Sequence, residues 1–250
     1  MERPENHKTL YQSCLIVLGR FIIVCIWLHT SPARLIGAAF CHQMPDRSPE
    51  YNFPFCWRCC GLFSGIFFGW IADIFGKKSK KLFSSIEISL FFVSVVFFLI
   101  DILNSSKFSG FSLYPESVKI RMLSAYPLGF MMMQIIYRIF SKWINKTSAS
   151  PFFGGIFTPI IMISGWILTD IILFSHNYIL SLIFRNLLAF SALAFLATLY
   201  TILILCIIEL KQHIYTLSSV LTIGYIITMV HIMLFGGIHI KFIHFEQIFK

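Results

Sequence analysis

The sequence predicts an all-α fold, a polytopic transmembrane bundle of about seven spans, and three observations predict it. Of the 250 residues, 57% are hydrophobic and 12% charged, and Phe alone fills 28 positions. A water-soluble domain of this length has too little interior to hide so much apolar side chain. Several apolar segments are long enough to cross about 30 Å of hydrocarbon. The basic residues are scattered between those segments, so the net charge of +9 is a topology signal rather than a nucleic-acid footprint. The lipid bilayer is the partner the composition implies, and no nucleic-acid partner is expected.

The first span is about Cys14–His29, behind the weakly basic leader "MERPENHK". Phe40 stands before Cys41, where a lipoprotein cleavage site needs a small residue, and no good A-x-A site precedes it. The segment is therefore kept as an anchor. "SPARLIGAAF" is a short semi-polar link to the second span, which opens near Cys56, runs through "GLFSGIFFGWIADIF" and ends at the basic run "GKKSKK". The third span covers about Leu82–Leu103. The fourth, Leu123–Phe140, carries Pro127. The fifth is Phe152–Phe174, the sixth Tyr178–Ile208 and the seventh Leu217–Gly237. By region, residues 1–140 hold the anchor and the Cys/His motif, and 141–250 add further spans. Lys77, Lys78, Lys80 and Lys81, with Arg138, Lys142 and Lys146, weight one face. The positive-inside rule then makes the N-terminus cytoplasmic and puts residues 30–56 outside the cytoplasm.

One stretch stands out from generic span sequence: "CHQMPDRSPEYNFPFCWRCC", residues 41–60. Pro54 suits the first turn of a helix, with Asn52 or its neighbour as cap. Cys56, Cys59 and Cys60 then stand at i, i+3 and i+4, on one helical face. At a helix N-terminus the backbone dipole favours thiolate over thiol, and Arg58 adds positive charge. Cys41 and His42 can fold back on the same point. Two chemistries suit such a set: a tetrahedral zinc site drawn from Cys41, His42, Cys56, Cys59 and Cys60, or a redox dithiol on Cys56 and Cys59. A structural disulfide from Cys41 to Cys56 or Cys59 is the plainer alternative, and all three stay open. Haem attachment is not supported, because residue 60 is Cys and not His. Cys14, Cys25 and Cys206 lie within spans and receive no role.

These residues resemble a family of bacterial and archaeal membrane proteins known as domain of unknown function 2085. The family shows a C-H-Q…R-S segment followed by C-x-R-C-x-G opening a membrane helix. The matching residues are Cys41, His42, Gln43, Arg47, Ser48, Cys56, Arg58, Cys59 and Gly61. A weaker second pattern falls on Asp101, Ser117, Arg121 and Gly129. The chain departs from the family at Cys60, where a small residue such as Thr is usual, and in "PEYNFPF", which lacks a glycine. The resemblance covers about residues 31–140. It implies a bacterial plasma-membrane location and strengthens the cluster as a site, but supplies no activity.

Gly61, Gly65 and Gly69 repeat every fourth residue, a spacing that lets a helix partner approach closely in lipid. Charges within spans are costly and count as candidate functional groups. Asp101 and Arg121 flank the loop between spans three and four. They can pair with each other, or with Arg58 and Glu116. Asp170 with Arg185 is the economical ion pair between spans five and six. Asp73 and Glu87 flank the basic run as interfacial partners for lysine. His29, His176 and His239 are read as interfacial polar residues.

Three functions follow. The first is a membrane protein with an external zinc or disulfide-stabilised site. The second is a membrane thiol-disulfide oxidoreductase using Cys56 and Cys59. The third is a transporter or lipid-handling protein whose anion pocket draws on Arg47, Arg58, Asp101 and Arg121. Those four residues are also the candidates should the chain be an enzyme, a question the sequence leaves open. No P-loop, dinucleotide fingerprint, H-E-x-x-H or nucleophile elbow is present.

Overall fold

The computed structural model describes residues 19–20, 22–23, 31–41, 55–75, 78–79, 85–105, 114, 117–145, 148–149, 157–175, 177–211 and 217–241. Seven α-helices follow one another among them: α1 Pro32–Phe40, α2 Trp57–Phe75, α3 Ser85–Ser105, α4 Val118–Asn145, α5 Phe157–Phe174, α6 Tyr178–Lys211 and α7 Leu217–His231. A π-helical turn, Ile232–Gly236, continues α7. Among the described residues, the extended structure is a two-residue antiparallel ladder, β1 Lys78–Ser79 against β2 Ser148–Ala149.

The distribution of side chains is that of a membrane protein. On α3, Ile88, Phe92, Val96, Leu99 and Leu103 are exposed, while Glu87, Ser94, Asp101 and Asn104 are buried. Apolar outside and charged inside is stable only where the surroundings are hydrocarbon. Among the described residues, four helical stretches are long and apolar enough to cross a membrane: 85–104, 157–174, 178–207 and 219–241. They correspond to the third, fifth, sixth and seventh expected spans. The second and fourth coincide with α2 and α4. The first, 14–29, lies outside the described residues except for Gly19, Arg20, Ile22 and Ile23, and the count of seven is not settled by those that remain.

The chain divides into two compact units, Met44–Ser191 and Met1–Gln43 with Ala192–Lys250. In the first, α2 lies along α4, with α3 on α4 and α5 on α2. Glycine makes the α2–α4 seam possible. A methyl group on Gly61 would strike the Met122 carbonyl, one on Gly65 the Tyr126 carbonyl, and one on Gly69 would come within 2.8 Å of the Phe130 carbonyl. From the other side, Gly129 has the same relation to the Leu62 carbonyl. Backbone thus meets backbone, which is how helices gain packing where no hydrophobic drive separates protein from solvent. Pro127 sits inside α4. It removes one donor from the helix ladder, a loss that neighbouring helices in a membrane can absorb.

In the second unit, α1 packs on the π-helical turn. Gly236 there lies against the Leu35 carbonyl, and Leu35 and Ile232 are fully buried. Gly224 of α7 faces Thr201 of α6, and Tyr200 Oη meets His231 Nδ1 at 2.8 Å. The sequence reading treats residues 31–40 as a link, yet they form a helix. Its cause is local: Ser31 caps the helix by accepting the Arg34 N–H at 3.2 Å, and Pro32 occupies the first helical turn.

Candidate metal centre at the start of α2

Two helix ends supply the thiols. Cys41 closes α1, its N–H donating to the Gly37 carbonyl at 2.8 Å. Cys56 opens α2: its carbonyl accepts the Cys60 N–H at 2.9 Å, the first bond of that helix. Phe55, just ahead, is buried against Phe63 with ring centroids 5.0 Å apart and so fixes the angle at which the chain enters the helix. Cys59 follows in the first turn. Trp57 turns the opposite way and stacks on Phe174 of α5 at 5.1 Å.

The sulfur atoms of Cys41, Cys56 and Cys59 all lie within 4.8 Å of one another. In a tetrahedral zinc thiolate site with Zn–S bonds of about 2.3 Å, sulfur atoms stand about 3.8 Å apart. The three are thus close to ligand spacing, and the group could hold a metal ion. Cys41 and Cys56 are buried, Cys59 partly exposed. No disulfide joins the described cysteines to one another. Cys60 is wholly buried but turned elsewhere, its thiol 3.7 Å from the Phe55 carbonyl. His42 and Arg47 lie outside the described residues, as do Asn52 and Pro54, so α2 is seen to start at Trp57.

Beside the thiols, Arg58 is buried and donates through Nε to Asp101 Oδ2 of α3 and through Nη2 to the Asp101 carbonyl at 2.9 Å. Tyr114 Oη donates to Asp101 Oδ1 at 2.9 Å. Asn104 fixes that tyrosine: its Nδ2 donates to the Tyr114 carbonyl at 3.0 Å and its Oδ1 accepts the Tyr114 N–H at 3.3 Å. Burial pushes the Tyr114 phenol up to about 12, aided by its hydrogen bond to Asp101 and that carboxylate's charge, while Arg58 and Arg121 pull the other way. The backbone of Arg121 lies in the first turn of α4, its N–H on the Ser117 carbonyl at 3.1 Å.

Tyr114 and Asn104 are absent from the sequence-based candidates. Asp101 and Asn104 stand at i and i+3 on α3, a shared face that flags the asparagine, but nothing local flags the tyrosine.

One other charge assignment is corrected. Asp170 meets Lys119 Nζ at 3.7 Å rather than Arg185. Lys119 also sits 4.9 Å over the Phe174 ring, because α5 lies beside the start of α4. Glu87 and Asp73, expected at the interface, are both buried, and Glu87 Oε1 is 2.6 Å from Arg138 Nη1; the lysines expected to pair with them lie outside the described side chains. The apolar face of α3 is turned outward, which carries Glu87 inward to α4. Of the histidines singled out, His239 is partly buried in the helix after the π turn; His29 and His176 lie outside the described residues.

Residues 41–135 match the family described as Predicted membrane protein (DUF2085), so this part of the chain is similar to that family. Comparison with curated proteins and with solved structures gave no match.

Proposed function

We propose that the protein is an integral membrane protein of the bacterial plasma membrane, with its N-terminus in the cytoplasm and a zinc ion bound at the extracytoplasmic face by Cys41, Cys56 and Cys59, with His42 as the fourth ligand. The single observation that supports this most is the convergence of three sulfur atoms within 4.8 Å, with the first CxxC cysteine, Cys56, buried. A zinc ion there would tie two segments together and supply folding free energy outright. The dipole at the start of α2 and the ion itself would both stabilise the negative sulfurs.

Burial also weighs between this and thiol exchange. An exchanging dithiol needs an accessible attacking sulfur, and Cys56 and Cys41 offer little access. Arg58 is engaged by Asp101, so it is a poor candidate for holding a redox thiolate or an anionic head group. Residues 141–250 add further spans to the region that carries the site.

Elemental analysis of the purified protein, paired with thiol counting under non-reducing conditions, tests the proposal. About one zinc per chain is expected, removed by chelator with loss of thermal stability and lost in Cys59→Ser. A metal-free protein with a Cys56–Cys59 pair that cycles, and mixed disulfides trapped by Cys59→Ser, would establish the oxidoreductase instead.

A further inference from the structure

A second polar centre lies at the other end of the same helix. Gln134 of α4 donates to the Gly69 carbonyl of α2 at 2.8 Å. Arg138, one turn further on, donates to Gln134 Oε1 at 3.1 Å and to Glu87 of α3 at 2.6 Å. Asp73 stands four residues after Gly69 on the same face of α2 and is 5% exposed. Its carboxyl is within reach of a hydrogen bond from Gln134 and of the charges of Arg138 and Glu87. Its Oδ2, however, is buried with no hydrogen-bond partner among the described residues. A cavity of about 150 Å³ opens beside this network, walled by Glu87, Gln134 and Arg138 and by Ile88, Phe91 and Ile135. That is room for a few water molecules.

The described charges do not balance. Asp73 and Glu87 both face the cation Arg138, which Glu87 engages directly. Among the described side chains, no other element supplies a counter-charge. α4 adds the neutral Tyr137 on that side. The stretch Phe157–Ser164 of α5 carries no titratable side chain. α6 meets α2 where Phe190 touches Trp70, and its Arg185 lies on the cysteine side of that contact. The lysines of 77–81 and Lys142 are outside the described side chains. A buried carboxylate with an orphaned oxygen is expensive in such surroundings. A carboxylic acid is not, and it turns the orphaned acceptor into a donor.

We infer that Asp73, held among Gln134, Glu87 and Arg138 at the end of α2 remote from the cysteines, is a proton-binding site. A metal cation is disfavoured by the guanidinium that already occupies Gln134 Oε1 and Glu87.

Infrared spectroscopy of the purified protein at neutral pH tests the inference. A protonated-carboxyl C=O band is expected, lost in Asp73→Asn and kept in Glu87→Gln. Absence of the band in the native protein, or its persistence in Asp73→Asn, would overturn it. Asn is the neutral isostere of the protonated acid, so a failure of Asp73→Asn to fold also counts against a neutral Asp73. Labelling of the native protein with a hydrophobic carbodiimide gives a readout without a variant. Modification located at Asp73 by mass spectrometry supports the site. No modification there, or protection by sodium but not by choline, overturns it.

Discussion

Arg58 of α2 and Asp101 of α3, 43 residues apart in sequence, form a buried ion pair in which the guanidinium also reaches the aspartate's own carbonyl. The carboxylate is satisfied on its other oxygen by Tyr114. Removing one partner therefore leaves a buried charge uncompensated, the costly case for such pairs.

Asp101→Ala is expected to destabilise the protein by about 3–5 kcal/mol, read as a large drop in the thermal midpoint in detergent. The double variant Arg58→Met, Asp101→Leu should recover much of that loss, because it removes both charges. A double variant no more stable than Asp101→Ala would show that the pair acts through something other than its charges.

The α2–α4 seam predicts a graded response to added methyl groups. Gly65→Ala meets the Tyr126 carbonyl and the Phe130 nitrogen, both main-chain atoms that cannot swing aside. It should cost about 1–3 kcal/mol or more. Gly69→Ala should cost less, since its nearest contacts are at 2.8 and 3.0 Å. Gly19→Ala, with nothing within 4 Å among the described residues, should be near neutral. Equal effects at all three sites would argue against a main-chain seam.

Cys60 separates the metal proposal from a general need for thiols. Its side chain is fully buried and donates to the Phe55 carbonyl, a role serine can fill. Cys60→Ser should keep the bound zinc and lower the unfolding midpoint only slightly, whereas Cys59→Ser should release the metal. Loss of zinc in Cys60→Ser would bring that sulfur into the ligand set.

Tyr114 predicts an alkaline limit. Its phenol is pushed from 10.0 to about 12 by burial and by Asp101. A raised folded-state value means the contribution is complete below the unfolded value and is lost as pH rises through the folded one. Stability should fall between about pH 10 and pH 12, and Tyr114→Phe should flatten that fall relative to the native chain. Parallel curves for the two proteins would refute the assignment.

The helices were legible because membrane spans announce themselves by length and apolarity, and α3, α5, α6 and α7 begin and end near the expected residues. The short helix α1 was also written in the sequence, in Ser31 and Pro32, but its apolar content hid it between a span and the cysteine motif. Within the thiol site, the Cys56–Cys59 spacing with Cys41 upstream was readable. Which thiol stands apart was not: Cys60 is one residue, or about 100° of helix rotation, beyond Cys59, and only the packing of Phe55 decides where it points. Arg58 with Asp101 was named among several possible pairings. Arg138 with Glu87 was missed, although Gln134 and Arg138 stand at i and i+4 within an apolar helix, because their partner comes from a different helix and depends on which way α3 is rolled.

The glycines of α2 recur at every fourth position, and each is filled by main chain from α4. A helix seated on such notches has no continuous range of small slides. It can rest where it is, or jump by about 6 Å to the next notch. Such a jump would at once part Arg58 from Asp101 at one end and Gly69 from Gln134 at the other. The arrangement works as a ratchet with a single comfortable stop, coupling the two ends of the helix through rigidity alone.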